Sequence, residues 1–142
     1  MYISETKIRV RYGETDQMGY LYYGNYALYY EVGRSEAFRS LGISYRDLEA
    51  AGIMMPVVEL QVQYFRPAYY DDLITVRTTI KEMPIGSKIV FHSALFNESG
   101  KLLNTGVTTL VFYNNQEKQK VIIPNHIEQC LAPFFLNQQD SK

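Results

Sequence analysis

A chain of 142 residues that is 46% hydrophobic and 20% charged has the size and balance of one globular domain. A net charge of −1 argues against a general nucleic-acid or polyanion binder, and the single cysteine, Cys130, excludes an intrachain disulfide and a cysteine metal pair. Met1–Lys7 lacks an apolar signal core and no stretch has the length of a membrane span, so the expectation is a cytoplasmic protein.

In chain order, Thr6, Ile8, Val10 and Tyr12 alternate with Glu5, Lys7, Arg9 and Arg11, the period of a half-buried strand whose cations form a solvated face. Gly13 and Gly19 bracket a loop in which Glu14, Thr15, Asp16 and Gln17 can bond to backbone without entering helix or strand. Gly24-Asn25 opens a helix to about Leu41. Tyr26, Tyr29, Tyr30, Gly33, Ala37 and Leu41 share one face; Glu31, Arg34, Ser35, Glu36 and Arg39 fill most of the other. Gly33 is expected where the helix closely approaches a sheet, and Gly42 at the stop. Ser44–Gly52 reads as a short second helix opened by a capping box of Ser44 and Asp47.

From Met55 the period becomes two. Val58, Leu60, Val62 and Tyr64 mark strand two; Ile74, Val76, Thr78 and Ile80 strand three; Ile89, Phe91, Ser93 and Leu95 strand four, closed by the hairpin Asn97–Gly100. Leu103–Tyr113 is strand five, and a last helix covers about 125–136. Short turns predict a meander of the last four strands. The fold class is α+β, a five-stranded antiparallel sheet wrapped around one long helix, in a single domain over 1–142 with its core at about 5–115.

Tyrosine is the compositional anomaly: 13 Tyr against 7 Phe and no Trp, with seven of them between Tyr12 and Tyr30. A residue with an apolar face and a polar tip suits a half-wet cleft or an interface. In the same stretch an acid precedes a helix N-terminus, which sets a proton acceptor beside unsatisfied backbone N–H donors. That pairing suits chemistry needing a base and an anion pocket together. Asp16 is a candidate base and Glu14, two residues earlier, a rival; if Glu14 continues the strand alternation it points the other way and reads as a solvated carboxylate. Asn25 reads as an N-cap or first-turn residue, with substrate contact as its secondary role, and Glu31 with Arg34 as a helix-face i,i+3 ion pair. His92 and His126 lack paired ligands, Ser87 and Ser93 lack a nucleophile-elbow setting, and Cys130 reads as a packed helix residue.

The element order, with Tyr12-Gly-Glu-Thr-Asp16-Gln-Met-Gly19, Tyr22-Tyr-Gly-Asn-Tyr26, Glu31, Arg34 and Tyr64-Phe-Arg-Pro-Ala68, resembles the hotdog-fold acyl-CoA thioesterases. It looks closest to the 4-hydroxybenzoyl-CoA thioesterase/YbgC-like branch. The resemblance implies hydrolysis of an acyl-CoA thioester without metal or other cofactor, in a homodimer or homotetramer with sites shared across an interface. It implies that Asp16 is general base or nucleophile and that the Tyr23 and Gly24 amides polarise the carbonyl. Many YbgC-like members carry His at the Tyr23 position; the 4-hydroxybenzoyl-CoA group has an aromatic residue there. Tyr22, Tyr23, Met54, Met55 and Val57 are candidates for an acyl tunnel, and Arg66, Lys88 and Lys101 for the coenzyme A phosphates. A hotdog hydratase or dehydratase, or a non-catalytic acyl-thioester binder, are the competing readings.

Overall fold

The alternation at the N-terminus becomes strand β1 (Tyr2–Arg9), with every second side chain half-buried, in a computed structural model that describes residues 1–136. A 3-10 turn, Tyr12–Glu14, follows, so Tyr12 leaves the strand pattern and is exposed. A second 3-10 turn, Tyr23–Asn25, leads into helix α1 (Tyr26–Ser40), which ends before Gly42. Helix α2 (Tyr45–Ala50) and a two-residue strand β2 (Ile53–Met54) come next. The long strands are β3 (Val57–Tyr64), β4 (Leu73–Ile80), β5 (Lys88–Phe96) and β6 (Leu102–Val111). Short β7 (Tyr113–Asn114) pairs with β2 on one side and β8 (Gln119–Lys120) on the other, and α3 (Asn125–Leu131) is followed by a 3-10 turn, Ala132–Phe134. No helix of the described residues is long and apolar enough to cross a membrane.

The main sheet has five antiparallel strands in the order β1-β4-β5-β6-β3. Only β4, β5 and β6 form the expected meander. β3 pairs with β6 rather than with β4, so Phe65–Asp72 is a crossover and not a hairpin. The reason is local: the loop after β1 captures that segment, through Leu21 N–H to Ala68 O (2.8 Å) and the mutual Val10–Asp72 and Asp71–Val10 backbone bonds. β3 is left as an outer edge with almost every residue exposed.

Helix α1 lies across β1, β4 and β5. Its buried face is Tyr26, Tyr29, Tyr30, Gly33, Arg34, Ala37 and Phe38. Two of these correct the sequence reading. Phe38 is fully buried, and Arg34 is only 7% exposed instead of pairing with Glu31 at the surface. The i,i+3 ion pair on this helix joins Arg39 to Glu36. Gly33 is where helix and sheet touch: a Cβ there would lie 2.5 Å from Thr78 Oγ1 and 2.7 Å from Val76 Cγ1.

The core has two apolar clusters. One joins Phe38, Ile80, Ile89, Phe91, Leu110 and Phe112 to α3; the other joins Val10, Leu21, Tyr26, Tyr29, Tyr30 and the start of β4. The buried face of β6 is set by Asn104, Gly106, Thr108 and Leu110, leaving Thr105, Val107 and Thr109 on the outer side.

Candidate active site

The loop from Arg11 to Tyr22 buries one apolar side chain, Leu21, and is otherwise held by hydrogen bonds. Asp16 N–H donates to Tyr20 O (2.8 Å) and Gly19 N–H to Asp16 O (3.0 Å), which closes a tight turn. Asp16 Oδ1 accepts from Met18 N–H (2.9 Å) and Tyr20 N–H (3.2 Å). One carboxylate oxygen is thereby fixed by backbone, and among the described residues Oδ2 has no hydrogen-bond donor. The side chain is half-buried, so it is oriented and still reachable.

The 3-10 turn that opens α1 supplies the donors. Asn25 N–H is used by Tyr22 O (2.9 Å) and Tyr22 N–H by Glu14 O (2.9 Å). The amides between them, Tyr23 and Gly24, have no acceptor among the described residues, as the first positions of a helical turn require. Gly24 is needed for packing: a Cβ there would lie 2.6 Å from the Tyr22 ring. That ring in turn lies 4.8 Å from Tyr23.

Asp16 and Tyr23 line one hollow of about 290 Å³ together with Tyr26, Tyr64, Phe65 and Arg66. Of the sequence candidates, the structure brings together Asp16, Tyr23 and Arg66, with Gly24 next along the turn. Tyr22 packs against Tyr23 with the two rings tilted by 43°. Asn25 does not cap the helix with its side chain; Nδ2 donates to Glu14 O (2.9 Å) and ties the turn to the loop.

Other candidates lie elsewhere. Lys88 borders a different hollow with Lys81, Met83 and His92. Burial and the nearby Lys81 push the His92 pKa down, so this imidazole is neutral near pH 7. Lys101 sits in the β5–β6 hairpin, where its N–H donates to Asn97 Oδ1. Met54 and Met55 line an apolar hollow of about 440 Å³ with Tyr45 and Tyr113, and Met55 also borders a fourth hollow with Val57 and Arg34. The five tunnel candidates therefore do not meet within one chain.

Glu14 overturns its sequence reading. It is not a solvated carboxylate: its side chain is 13% exposed, and Oε1 accepts from Arg11 N–H and from the Tyr29 hydroxyl, both at 2.9 Å. Burial would raise its pKa, but those bonds and the Arg11 guanidinium outweigh burial and hold it below the ordinary value. The Tyr29 hydroxyl is pushed far up, first by burial and then by the Glu14 charge, and stays protonated as donor. The sequence signal was available, since Tyr29 lies on the helix face aimed at the sheet; alternation carried past the end of β1 hid it. Tyr64 and Phe65 were also missed as lining residues, although they sit in the motif that carries the resemblance.

Comparison with known proteins agrees with this architecture. A family model described as the thioesterase-like superfamily matches residues 10–131. A putative acyl-CoA thioesterase of Bacillus subtilis, YneP, is 39% identical over 102 residues, 72% of this chain and 73% of the relative. The acyl-CoA thioester hydrolase YbgC of Escherichia coli is 30% identical over 84% of this chain and 89% of its own length. Among solved structures, a DHNA-CoA thioesterase from Staphylococcus aureus superposes with a TM-score of 0.91 at 32% identity, covering 100% of this chain and 97% of the other. The match over nearly the whole chain, on a sheet wrapped around one helix, makes this protein a thioester hydrolase of the hotdog-fold thioesterase-like superfamily.

Proposed function

We propose that this chain hydrolyses an acyl-CoA thioester to the free acid and coenzyme A, with Asp16 as general base or nucleophile and the Tyr23 and Gly24 amides as oxyanion donors. The observation that carries the reading is a half-buried carboxylate, with one oxygen unengaged, lining one hollow together with Tyr23, whose unengaged amide is followed along the turn by that of Gly24. As base, Asp16 takes a proton from water while the water oxygen attacks the thioester carbonyl carbon. The charge collects on the carbonyl oxygen, where two N–H donors stabilise it; losing one such donor typically costs about 2.7–4 kcal/mol. Collapse re-forms the carbonyl, breaks the C–S bond and expels coenzyme A thiolate. As nucleophile, Asp16 attacks the carbonyl itself, expels the thiolate and leaves a mixed anhydride that water opens. A thiol of pKa about 8.5 leaves readily as its anion, so neither route calls for a histidine acid.

The aromatic lining of the hollow by Tyr23, Tyr26, Tyr64 and Phe65 favours a flat aromatic acyl group over a long straight chain. Arg66 is the cation assigned to the coenzyme A phosphates; Lys88, in its separate hollow, would serve only from another subunit. The bare edge β3 supports a homo-oligomer. Val57, Val58, Leu60 and Tyr64 are all at least 40% exposed there, and a strand edge of this kind is stable when covered by another strand. A second copy paired antiparallel on β3 covers both edges.

Thiol release from a panel of aromatic and straight-chain acyl-CoAs tests the activity, and the expected order is aromatic above straight-chain. Asp16→Asn is expected to lower kcat by about 10²–10⁴ with fold and oligomeric state kept. Wild-type turnover in that variant removes Asp16 from the mechanism. Conversion of crotonyl-CoA without thiol release would instead mark a hydratase, and tight acyl-CoA binding without turnover a binding protein.

A further inference from the structure

We infer that Glu14 is a positioning residue, the clamp that fixes the distance between Asp16 and the Tyr23–Gly24 amides, with Tyr29 as its anchor on α1. The inference rests on the proposed roles of Asp16 and those amides, and extends them to two side chains that touch neither substrate nor reacting atoms.

The contacts of Asp16 itself cannot supply this spacing. Both donors to its carboxylate, Met18 N–H and Tyr20 N–H, belong to its own loop and set its rotamer. Glu14 instead joins three separate elements. Its Oε1 accepts from Arg11 N–H, the cap of its own 3-10 turn just past β1, and from the Tyr29 hydroxyl on the buried face of α1. Its main-chain carbonyl accepts from Tyr22 N–H and from Asn25 Nδ2, which flank the two free amides on either side. The base lies two residues after Glu14, and the turn that carries the donors hangs from the Glu14 carbonyl. Tyr29 is fixed in turn, being 2% exposed within the second core cluster. A carboxylate held by a protonated phenol and an amide is a charge-assisted and short-reach grip. Its failure lets the loop slide relative to the helix, and misplacement of about 1 Å in such a site costs on the order of 10² in rate.

The experiment compares Glu14→Ala, Glu14→Gln, Tyr29→Phe and the double variant Glu14→Ala/Tyr29→Phe, by steady-state thiol release well below each variant's Tm. Glu14→Ala is expected to lower kcat by about 10- to 100-fold with KM within about 3-fold, since orientation rather than binding is lost. Glu14→Gln keeps an oxygen in place for both donors and is expected to stay within about 5-fold of wild type. Tyr29→Phe should fall between, and the double variant should match Glu14→Ala within about 2-fold because both changes cut one link. A lowered Tm with unchanged kcat for Glu14→Ala would mean stability alone and overturns the inference. So does a Glu14→Gln variant as damaged as Glu14→Ala, which would make Glu14 act through its charge. A second readout needs no turnover: hydrogen exchange of peptides spanning 12–25 is expected to accelerate in Glu14→Ala and Tyr29→Phe. Unchanged exchange overturns the clamp. An inactive wild type with accelerated exchange supports the clamp and sinks the thioesterase reading instead.

Discussion

Phe38, Phe91 and Phe112 fill one end of the core among aliphatic side chains, with Phe38 and Phe91 ring centroids 5.6 Å apart. At the other end of the same helix Tyr26, Tyr29 and Tyr30 take the equivalent places. Each phenol buries an apolar ring and uses its hydroxyl: Tyr29 on Glu14, Tyr30 on Asn104, and Tyr26 on the Ala68 amide. Between the clusters lie Thr78, Ser93 and Thr108, whose buried hydroxyls have no partner among the described residues. The phenylalanine end holds the fold; the tyrosine end holds it and also transmits its rigidity to the loop. A half-core that must position a polar site is built from residues that are apolar in body and polar at the tip.

The difference is open to measurement. Asp16→Asn, the largest expected effect, should remove activity and leave urea unfolding where it was, because Asp16 bonds only within its loop. At the opposite end, Phe91→Ala should lose about 3–5 kcal/mol in urea unfolding, with kcat of the folded fraction unchanged. A Phe91→Ala enzyme that is stable but slow would dissolve the distinction between the two ends. Gly33→Ala tests the seam between them. Helix propensity gains about 1 kcal/mol, but the new methyl meets Thr78 and Val76 at 2.5 and 2.7 Å, and both are stiff β-branched side chains. Overpacking should win, with a net loss of about 1–2 kcal/mol; a stabilised variant would show that the helix lifts freely. The smallest effect concerns acid. The Glu14 pKa is held below its ordinary value of 4.5 in the folded protein, so its ionised form contributes stability that is present above about pH 4.5 and lost as pH falls through the folded pKa. Urea midpoints for Glu14→Gln should therefore fall less steeply than wild type below pH 4.5, and parallel curves would remove Glu14 from the acid sensitivity.

Much of this was legible before any coordinates. The buried faces of β4 and β5 follow the period-2 pattern residue for residue, and the helix bounded by Asn25 and Gly42 follows the 3.6 pattern. The loop acids ahead of a helix suggested a base beside an anion pocket, and it was the resemblance that selected Asp16 over Glu14. What sequence periodicity missed was decided by contacts over long separations. Glu14 meets Tyr29 only because the chain turns back after β1. Arg34 sits at a polar helix position yet is buried, where it lines a hollow with Tyr45, Met55 and Leu110 from later in the chain. The strand order failed at Phe65–Asp72, where two turn signals looked like a hairpin and the Val10 and Leu21 backbone claimed the segment first. Lys88 and Met54 have the right chemistry for substrate contact, but no sequence rule states which hollow a strand end borders.

The pairing of β1 with β4 has a further consequence. Tyr2 lies opposite Ile80 and Arg9 opposite Leu73, so the two strands meet across most of the first half of the chain. Closing such a loop is entropically slow compared with forming a helix or a hairpin. The turn that carries Asp16 is anchored by Val10–Asp72 and Leu21–Ala68, bonds that do not exist until that closure is complete. During synthesis, then, α1 and its contacts with Glu14 can form early, whereas the Asp16 loop is fixed to the sheet only after β4 has emerged. A nascent chain stopped before residue 73 holds the helix and the loop but lacks the strand that locks them to the sheet, whatever its helix content.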